Sequence, residues 1–251
     1  MVFLKLEGSL RKSIMKISIV IPAYNEEQYI EKCLSSIFRE GSGAFAEIIV
    51  VNNASTDGTA GVVRKFNGVR LIDEPKKGPN TARQRGFLET RGDLVAYLDA
   101  DTEITKEWFA YVRKEFARRP DLVCLSGPLF YRDLPRVESA CVWVYWYCFA
   151  APIYFLLRYM AVGGNCVIRR DALHKIGGFN TSIKFYGDDT NTARRLHKVG
   201  KVKFKTSFFV WTTSRRFKGQ GFLKTGFLYA GNFFSEVIFH RPVTKEHKDI
   251  R

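Results

Sequence analysis

The sequence predicts an α/β domain built on a mostly parallel sheet with helices on both faces, and three observations lead there. Short β-branched or aliphatic runs at residues 17–21, 48–51, 69–72 and 94–98 alternate with stretches of helical periodicity. Most of these runs are almost continuously apolar, as strands buried on both faces are. Each is followed by polar or turn-forming residues, which in an open parallel sheet collect at the carboxyl edge, where ligands bind.

Taken in order, the first run (17–21) is closed by Pro22, and Asn25 is placed to cap a helix in which Ile30, Cys33, Leu34, Ile37 and Phe38 recur at helical spacing. The second run ends in Asn52, Asn53, Ala54, Ser55, Thr56, Asp57, Gly58 and Thr59, turn chemistry ahead of another helix. A third strand at 69–72 precedes a helix at 80–90. The fourth, at 94–98, delivers Asp99 and Asp101 on either side of Ala100, before a helix expected from Thr105. Beyond Pro120 come a strand-like run at 122–126, a long aromatic stretch, and a helix running from Asp188 toward Arg195. The expected organisation is a tail at 1–15, one catalytic domain at 16–217 with a nucleotide-facing half (16–101) and an acceptor-facing half (102–217), and an amphipathic helix with a basic tail at 218–251. The first fourteen residues lack the apolar core of a secretory signal and read as a frayed tail or the product of an upstream start codon.

With 251 residues the chain is long enough for one α/β domain with a substantial core. Forty Lys and Arg against 25 Asp and Glu give a formal charge of +15, which favours anionic partners: nucleotide diphosphates, nucleic acid or acidic headgroups. No recognised nucleic-acid module accompanies that charge, so no nucleic acid is expected. Five cysteines without a CxxC pair suggest neither a disulfide framework nor a zinc site, and fit a reducing cytoplasm.

Asp99 and Asp101 carry the chemistry. Paired acids at the carboxyl edge of a sheet can hold a divalent cation, and that cation can hold a diphosphate, which points to transfer of a phosphate-activated group. The plain alternative is an acidic turn capping the next helix.

The motif order 19–26 (Ile-Val-Ile-Pro-Ala-Tyr-Asn-Glu), 50–59, Gly78 to Gly86, Asp99-Ala100-Asp101, Gly163-Gly164-Asn165, Arg169-Arg170, Gly177-Gly178-Phe179 and Gly187-Asp188-Asp189 through Arg195-Leu196 resembles glycosyltransferase family 2 with the GT-A (Rossmann-like) fold. The resemblance spans roughly residues 16–216. It implies an inverting, metal-dependent transferase that moves a sugar from a UDP- or GDP-sugar to an acceptor hydroxyl; the net charge and the apolar C-terminal stripe incline the expected acceptor toward a lipid-linked or membrane-proximal glycan. It also implies Mn²⁺ or Mg²⁺ held by Asp101 and Asp99, and Asp189 as general base with Asp188 beside it. Pro22, Ala23, Tyr24, Glu26, Asn52, Lys77, Gly78, Arg83 and Asp99 would line the nucleotide pocket. Gly163, Gly164 and Asn165 would approach the donor sugar, and Arg215 the diphosphate, with the place of Arg216 left open. Asn52 stands where many relatives carry aspartate, and its amide leaves uracil and guanine both open. A polyprenyl-phosphate sugar synthase is the near alternative. A nucleotidyltransferase or a non-catalytic nucleotide-binding protein is the alternative of another class, weakened by the absence of a glycine-rich first loop and by the intact acids.

Residues 140–157 hold no charge and seven aromatics. That length just reaches what a membrane span needs, but one crossing would put Asp101 and Asp189 on opposite sides of a bilayer. A core helix or an interfacial one is therefore expected. The stripe Leu223, Phe227, Ala230, Phe234 and Val237 among Lys224, Arg241, Lys245 and Lys248 fits a surface-lying helix, with an anionic membrane surface or a second copy of the chain as candidate partner.

Overall fold

The structure, a computed structural model, describes residues 15–183, 187–240 and 244. The expected tail at 1–14 and the basic flank Arg241, Lys245 and Lys248 lie outside the described residues. In the first half strands and helices alternate: β1 (Ile17–Ala23), α1 (Ile30–Glu40), β2 (Glu47–Asn52), α2 (Thr59–Val63), β3 (Val69–Asp73), α3 (Pro79–Glu89), β4 (Leu94–Leu98) and α4 (Trp108–Arg118). Then come β5 (Leu122–Ser126), β6 (Leu129–Tyr131), α5 (Arg136–Val144), a π-helical turn (Tyr145–Ala150) and α6 (Ala151–Leu157). The chain returns through β7 (Asn165–Arg169), α7 (Arg170–Lys175), α8 (Asp188–His197), β8 (Lys201–Phe204), β9 (Val210–Thr212), α9 (Arg215–Gln220) and α10 (Phe222–Phe239).

Seven strands form one sheet in the order β3-β2-β1-β4-β7-β5-β8. All neighbours are parallel except β7, which runs antiparallel to both β4 and β5. The mostly parallel sheet read from the alternation is thus present. Its apolar runs are buried because each face is covered: Ile19, Ile21, Ile48 and Val50 pack with α1 and α4 through Leu34, Trp108 and Val112. Val20, Ile49, Val51 and Val95 pack on the other side with Ala82, Phe87, Ala193 and Leu196 of α3 and α8. Alternate residues of one strand feed opposite cores, as the two-residue repeat of a strand requires. Gly86 lets α3 lie directly on β1, since a Cβ there would strike the Val20 side chain.

The antiparallel β7 positions the second half. It inserts between β4 and β5, so the segment after α6 returns to the strand that carries the acids. A small parallel pair, β6 with β9, hangs beside the main sheet and fixes the start of the segment containing Thr213 and Arg215.

Several local expectations differ. Asn25 does not cap α1, which begins at Ile30 after Tyr29; it sits at φ 52° and its Oδ1 accepts the Thr56 N–H at 2.8 Å, bracing the loop after β2. The helix expected from Thr105 begins at Trp108, so an acidic turn does not cap it directly. Burial of residues 140–157 in the core is not found: only 11% of the most apolar window of the helix Arg136–Leu157 is buried.

Candidate active site

The carboxyl ends of β1 and β4 open into a cleft of about 580 Å³. Its charged end is lined by Pro22, Glu26, Arg83, Asp99, Asp101, Gly164, Asp188, Asp189, Arg215 and Arg216. Two arginines organise it. Arg83, on α3, is nearly buried and pairs with Asp188 at 2.6 Å, Asp99 at 3.5 Å and Asp189 at 3.6 Å. Three acids from two distant motifs therefore meet at one guanidinium. Burial alone would lower the Arg83 pKa, but the surrounding Asp189, Asp188 and Asp99 more than offset it and hold the group charged.

Asp188 behaves in the opposite sense. Burial, then the nearby Asp189 charge, push it up to about 7 in spite of Arg83. Asp189 is more accessible, and its Oδ2 accepts the Gly163 N–H at 2.7 Å. Gly163 and Gly164 are required by this closeness: a Cβ on Gly163 would collide with Arg83 and Asp189, and one on Gly164 with Asp99. The two glycines thus bring β7's entry loop against the acids, as expected of a backbone that must come close.

Asn165 is different. It is fully buried, its Oδ1 accepts the Trp108 indole N–H at 3.0 Å, and its Nδ2 donates to the Phe208 carbonyl at 2.8 Å. Its side chain ties β7 to α4 and to the β8–β9 connection, so that side chain serves the fold, and any approach to a sugar at this position is the backbone's. Sequence spacing could not separate the two, because the triplet reads as one loop.

Arg215 is the second organiser. Its Nη2 contacts Glu26 Oε1 at 2.6 Å and Asp101 Oδ2 at 3.0 Å, and its guanidinium lies over the Tyr29 ring. Burial works against its charge, and Asp101 and Glu26 restore it, leaving the pKa raised. Thr213 Oγ1 donates to the same Asp101 oxygen at 2.9 Å. Arg215 opens the short helix α9 rather than an extended segment, and Arg216 also lines the cleft. Asp133 was not anticipated: it accepts from the Ser214 N–H at 2.8 Å, the Ser214 hydroxyl at 2.9 Å and Lys218 at 2.7 Å, pinning the start of α9. A lone Asp in a polar loop carries no sequence signal for that role.

Ala23, Tyr24, Asn52, Lys77 and Gly78 do not line the cleft volume; they continue along the same edge of the sheet, where Ala23 pairs with Asn52 and Asn52 with Asp73. Lys77 Nζ stands 3.8 Å from the centre of the Tyr24 ring. Asn52 Nδ2 donates to Asp73 Oδ1 at 2.8 Å, and its buried Oδ1 has no donor among the described residues. Asn53, grouped with the crevice residues by its position, is instead a tie: it holds the Glu74 and Lys76 carbonyls and accepts the Gly78 N–H.

No cluster of three or more His, Cys, Asp or Glu that could hold a metal occurs among the described residues. The donor set offered is Asp99 and Asp101 at one cleft wall. That fits a hard divalent cation which takes one or two carboxylates from the protein and completes its shell with phosphate oxygens and water.

The family model for Glycosyl transferase family 2 matches residues 18–177, more than half of the chain and the whole span that brings Asp99, Asp101 and Arg83 together. The chain belongs to glycosyl transferase family 2. Among curated relatives of this transferase family, it is 26% identical over 218 residues to the probable glycosyltransferase YdaM of Bacillus subtilis, covering 80% of this chain and 51% of YdaM. It is 33% identical over 98 residues to the glycosyltransferase AglE of Haloferax volcanii, covering 37% of this chain and 32% of AglE. The chain thus spans a third to half of the length of these two relatives. Among solved structures, the mannosyltransferase PcManGT of Pyrobaculum calidifontis, in complex with GDP-Man and Mn²⁺, superposes with a TM-score of 0.64 at 21% identity, covering 85% of this chain and 63% of that one. TarS 1-349 of S. aureus superposes with a TM-score of 0.61 at 18% identity over 80% of this chain and 61% of that one. At such identities the superpositions establish the GT-A fold of this family 2 member.

Proposed function

We propose that this family 2 protein transfers a sugar, with inversion, from a UDP- or GDP-sugar to an acceptor hydroxyl on a lipid-linked or membrane-proximal glycan. The observation that carries the reading is the meeting of Asp99, Asp188 and Asp189 at Arg83 in one cleft, which brings an acid of the Asp99-Ala100-Asp101 motif and the candidate general base to one site.

In this reading the base lies along the edge formed by Ala23, Tyr24 and Asn52, with Lys77 and Gly78 closing over it. Asn52 Oδ1 is the relevant acceptor. Asn52 Nδ2 donates to Asp73, and its Oδ1 is left buried without a donor among the described residues, an acceptor that N3–H of uracil or N1–H of guanine would satisfy. Asp99 and Asp101 would hold Mn²⁺ or Mg²⁺, which when bound offsets charge on the departing diphosphate. Arg215, beside Asp101 at 3.0 Å, and Arg216 line the same cleft and add fixed positive charge there. Gly163 and Gly164 bring backbone to the donor sugar.

Asp189 is the general base. Its Oδ2 is held by the Gly163 N–H, which fixes the carboxylate while it takes the acceptor proton, and the acceptor oxygen then attacks the anomeric carbon opposite the diphosphate. Asp188 stays in the Arg83 pair and positions its neighbour. A lipid phosphate acceptor, as in a polyprenyl-phosphate sugar synthase, would need little deprotonation and so little from Asp189.

A thermal-shift panel of UDP, GDP, TDP and CDP, each with Mn²⁺ and with EDTA, tests the donor side. The melting midpoint should rise with UDP or GDP in Mn²⁺, by about 2.7 kcal/mol of added stability at a ligand concentration of 100 Kd, and the rise should be lost in EDTA. No rise with any nucleotide would contradict the reading.

A further inference from the structure

The charged end of the cleft continues into an apolar end, and the two helices that wall it leave large hydrophobic side chains in solvent. Val142, Tyr145 and Trp146 line it from the helix Arg136–Leu157, and Phe222, Phe227 and Phe233 from α10. Phe155 is 63% and Leu156 82% exposed on α6; along one stripe of α10, Leu223 and Phe227 at the cleft rim are 71% and 77% exposed, and Phe234 and Ile238 outside it 48% and 63%. Singly such residues are ordinary on a protein surface, but two flanking helices with this many mark an interaction face.

α10 is tied to the helix that carries the acids. Glu236, the one acid in α10 and fully buried, accepts from Asn191 Nδ2 at 3.0 Å and pairs with Arg194 at 3.5 Å, both on α8, the helix that begins with Asp188 and Asp189. The exposed stripe of α10 is therefore held in place relative to Asp188 and Asp189.

We propose that this face docks on an anionic lipid bilayer, with the cleft mouth opening onto the lipid, so that the acceptor is drawn from the membrane surface; the last step rests on the transferase reading above. Three features select the bilayer over a second copy of the chain. The net charge of +15 repels a like copy and attracts acidic headgroups. The face carries Trp143, Tyr145 and Tyr147 partly exposed, the residue types that settle at the headgroup level. Finally, α5 and α10 both border the cleft, so a copy seated on them would cover the route the acceptor must take, whereas a bilayer supplies the acceptor by that route. The segment lies on the membrane and does not cross it. The strands β5 and β7, on either side of helix Arg136–Leu157 in the chain, are hydrogen-bonded neighbours in one sheet.

The test is flotation of the full chain with vesicles of phosphatidylglycerol and phosphatidylcholine, against phosphatidylcholine alone, at low salt. Most of the protein should float with the anionic vesicles and little with the neutral ones. Leu156→Asp combined with Ile238→Asp, both outside the cleft lining, should cut flotation at least about tenfold while leaving the nucleotide-induced thermal shift intact, because charges at those sites must enter the headgroup region. Bromine-labelled acyl chains should quench the emission lost on Trp143→Phe. Protein that stays in the soluble fraction, or a double variant that floats as well as the parent, overturns the proposal. So does a dimer by sedimentation that the double variant abolishes, which would assign the face to a second copy. Absence of any nucleotide-induced shift in a protein that still floats would instead remove the transferase reading, and with it the acceptor route.

Discussion

Asp189→Asn should reduce sugar transfer to a hydroxyl acceptor by roughly 10²- to 10⁴-fold, the usual contribution of a general base, while the affinity for the nucleoside diphosphate stays within about twofold. An asparagine oxygen can still accept the Gly163 N–H that Asp189 accepts at 2.7 Å, so the loop is held, and Arg83, which loses the Asp189 charge at 3.6 Å, keeps its pair with Asp188 at 2.6 Å. The loss should fall in kcat and in kcat/KM equally, the signature of an interaction made in the transition state. Measuring both constants together with the dissociation constant for the nucleotide checks this. A variant with near-parental kcat on a hydroxyl acceptor would remove Asp189 from the role. The same variant active only on a lipid phosphate would shift the reading to the synthase alternative.

The second large effect is structural. Arg83→Met should destabilise the protein by about 3–5 kcal/mol, since it leaves buried carboxylates without the cation that compensates them. For a chain of this size that corresponds to a fall in the melting midpoint of on the order of 10 °C. The deficit should depend on pH, and its direction follows from Asp188. Its folded pKa, raised to about 7 by burial and by Asp189, lies above the ordinary value of about 3.9. The folded state therefore holds a proton that the unfolded state has lost, and Asp188 lowers stability as pH rises between those values. Without Arg83 the carboxyl is driven higher still, so the variant should lose most at pH 7 and above and recover part of the loss toward pH 5. Chemical denaturation at pH 5 and pH 7.5 reads this out. An equal loss at both would mean that Arg83 does not compensate Asp188. Arg83→Lys should recover only part of the stability, because one ammonium cannot meet the three carboxylates that the guanidinium meets.

Most of the fold was legible because its information is local. The parallel strands announce themselves as short apolar runs, and the acids follow them at the carboxyl edge. The antiparallel β7 was not legible, since Asn165–Arg169 differs in no periodic feature from the parallel strands and its direction is set by where α6 delivers the chain. The motif residues Asp99, Asp101, Asp188, Asp189 and Arg83 converge as the resemblance implied. What the sequence hid was the division of labour inside motifs. Asn53 and Asn165 look like site residues and are ties, because an amide with both donors and acceptors serves either purpose and only burial decides. Glu236 and Asp133 were silent for the complementary reason: single acids remote in sequence from the groups they hold. The aromatic helix was left between core and interface by hydropathy, and exposure of Leu156 and Phe155 decides for the surface.

The measurement that reaches the central claim most directly is the anomalous scattering of Mn²⁺ in crystals grown with UDP or GDP, whichever the thermal panel selects. The account predicts one manganese peak bonded to oxygen of Asp101, with Asp99 and the diphosphate beside it and Asp189 facing the nucleotide across the cleft. A nucleotide bound away from Asp99 and Asp101, or a manganese peak that touches neither, would contradict it.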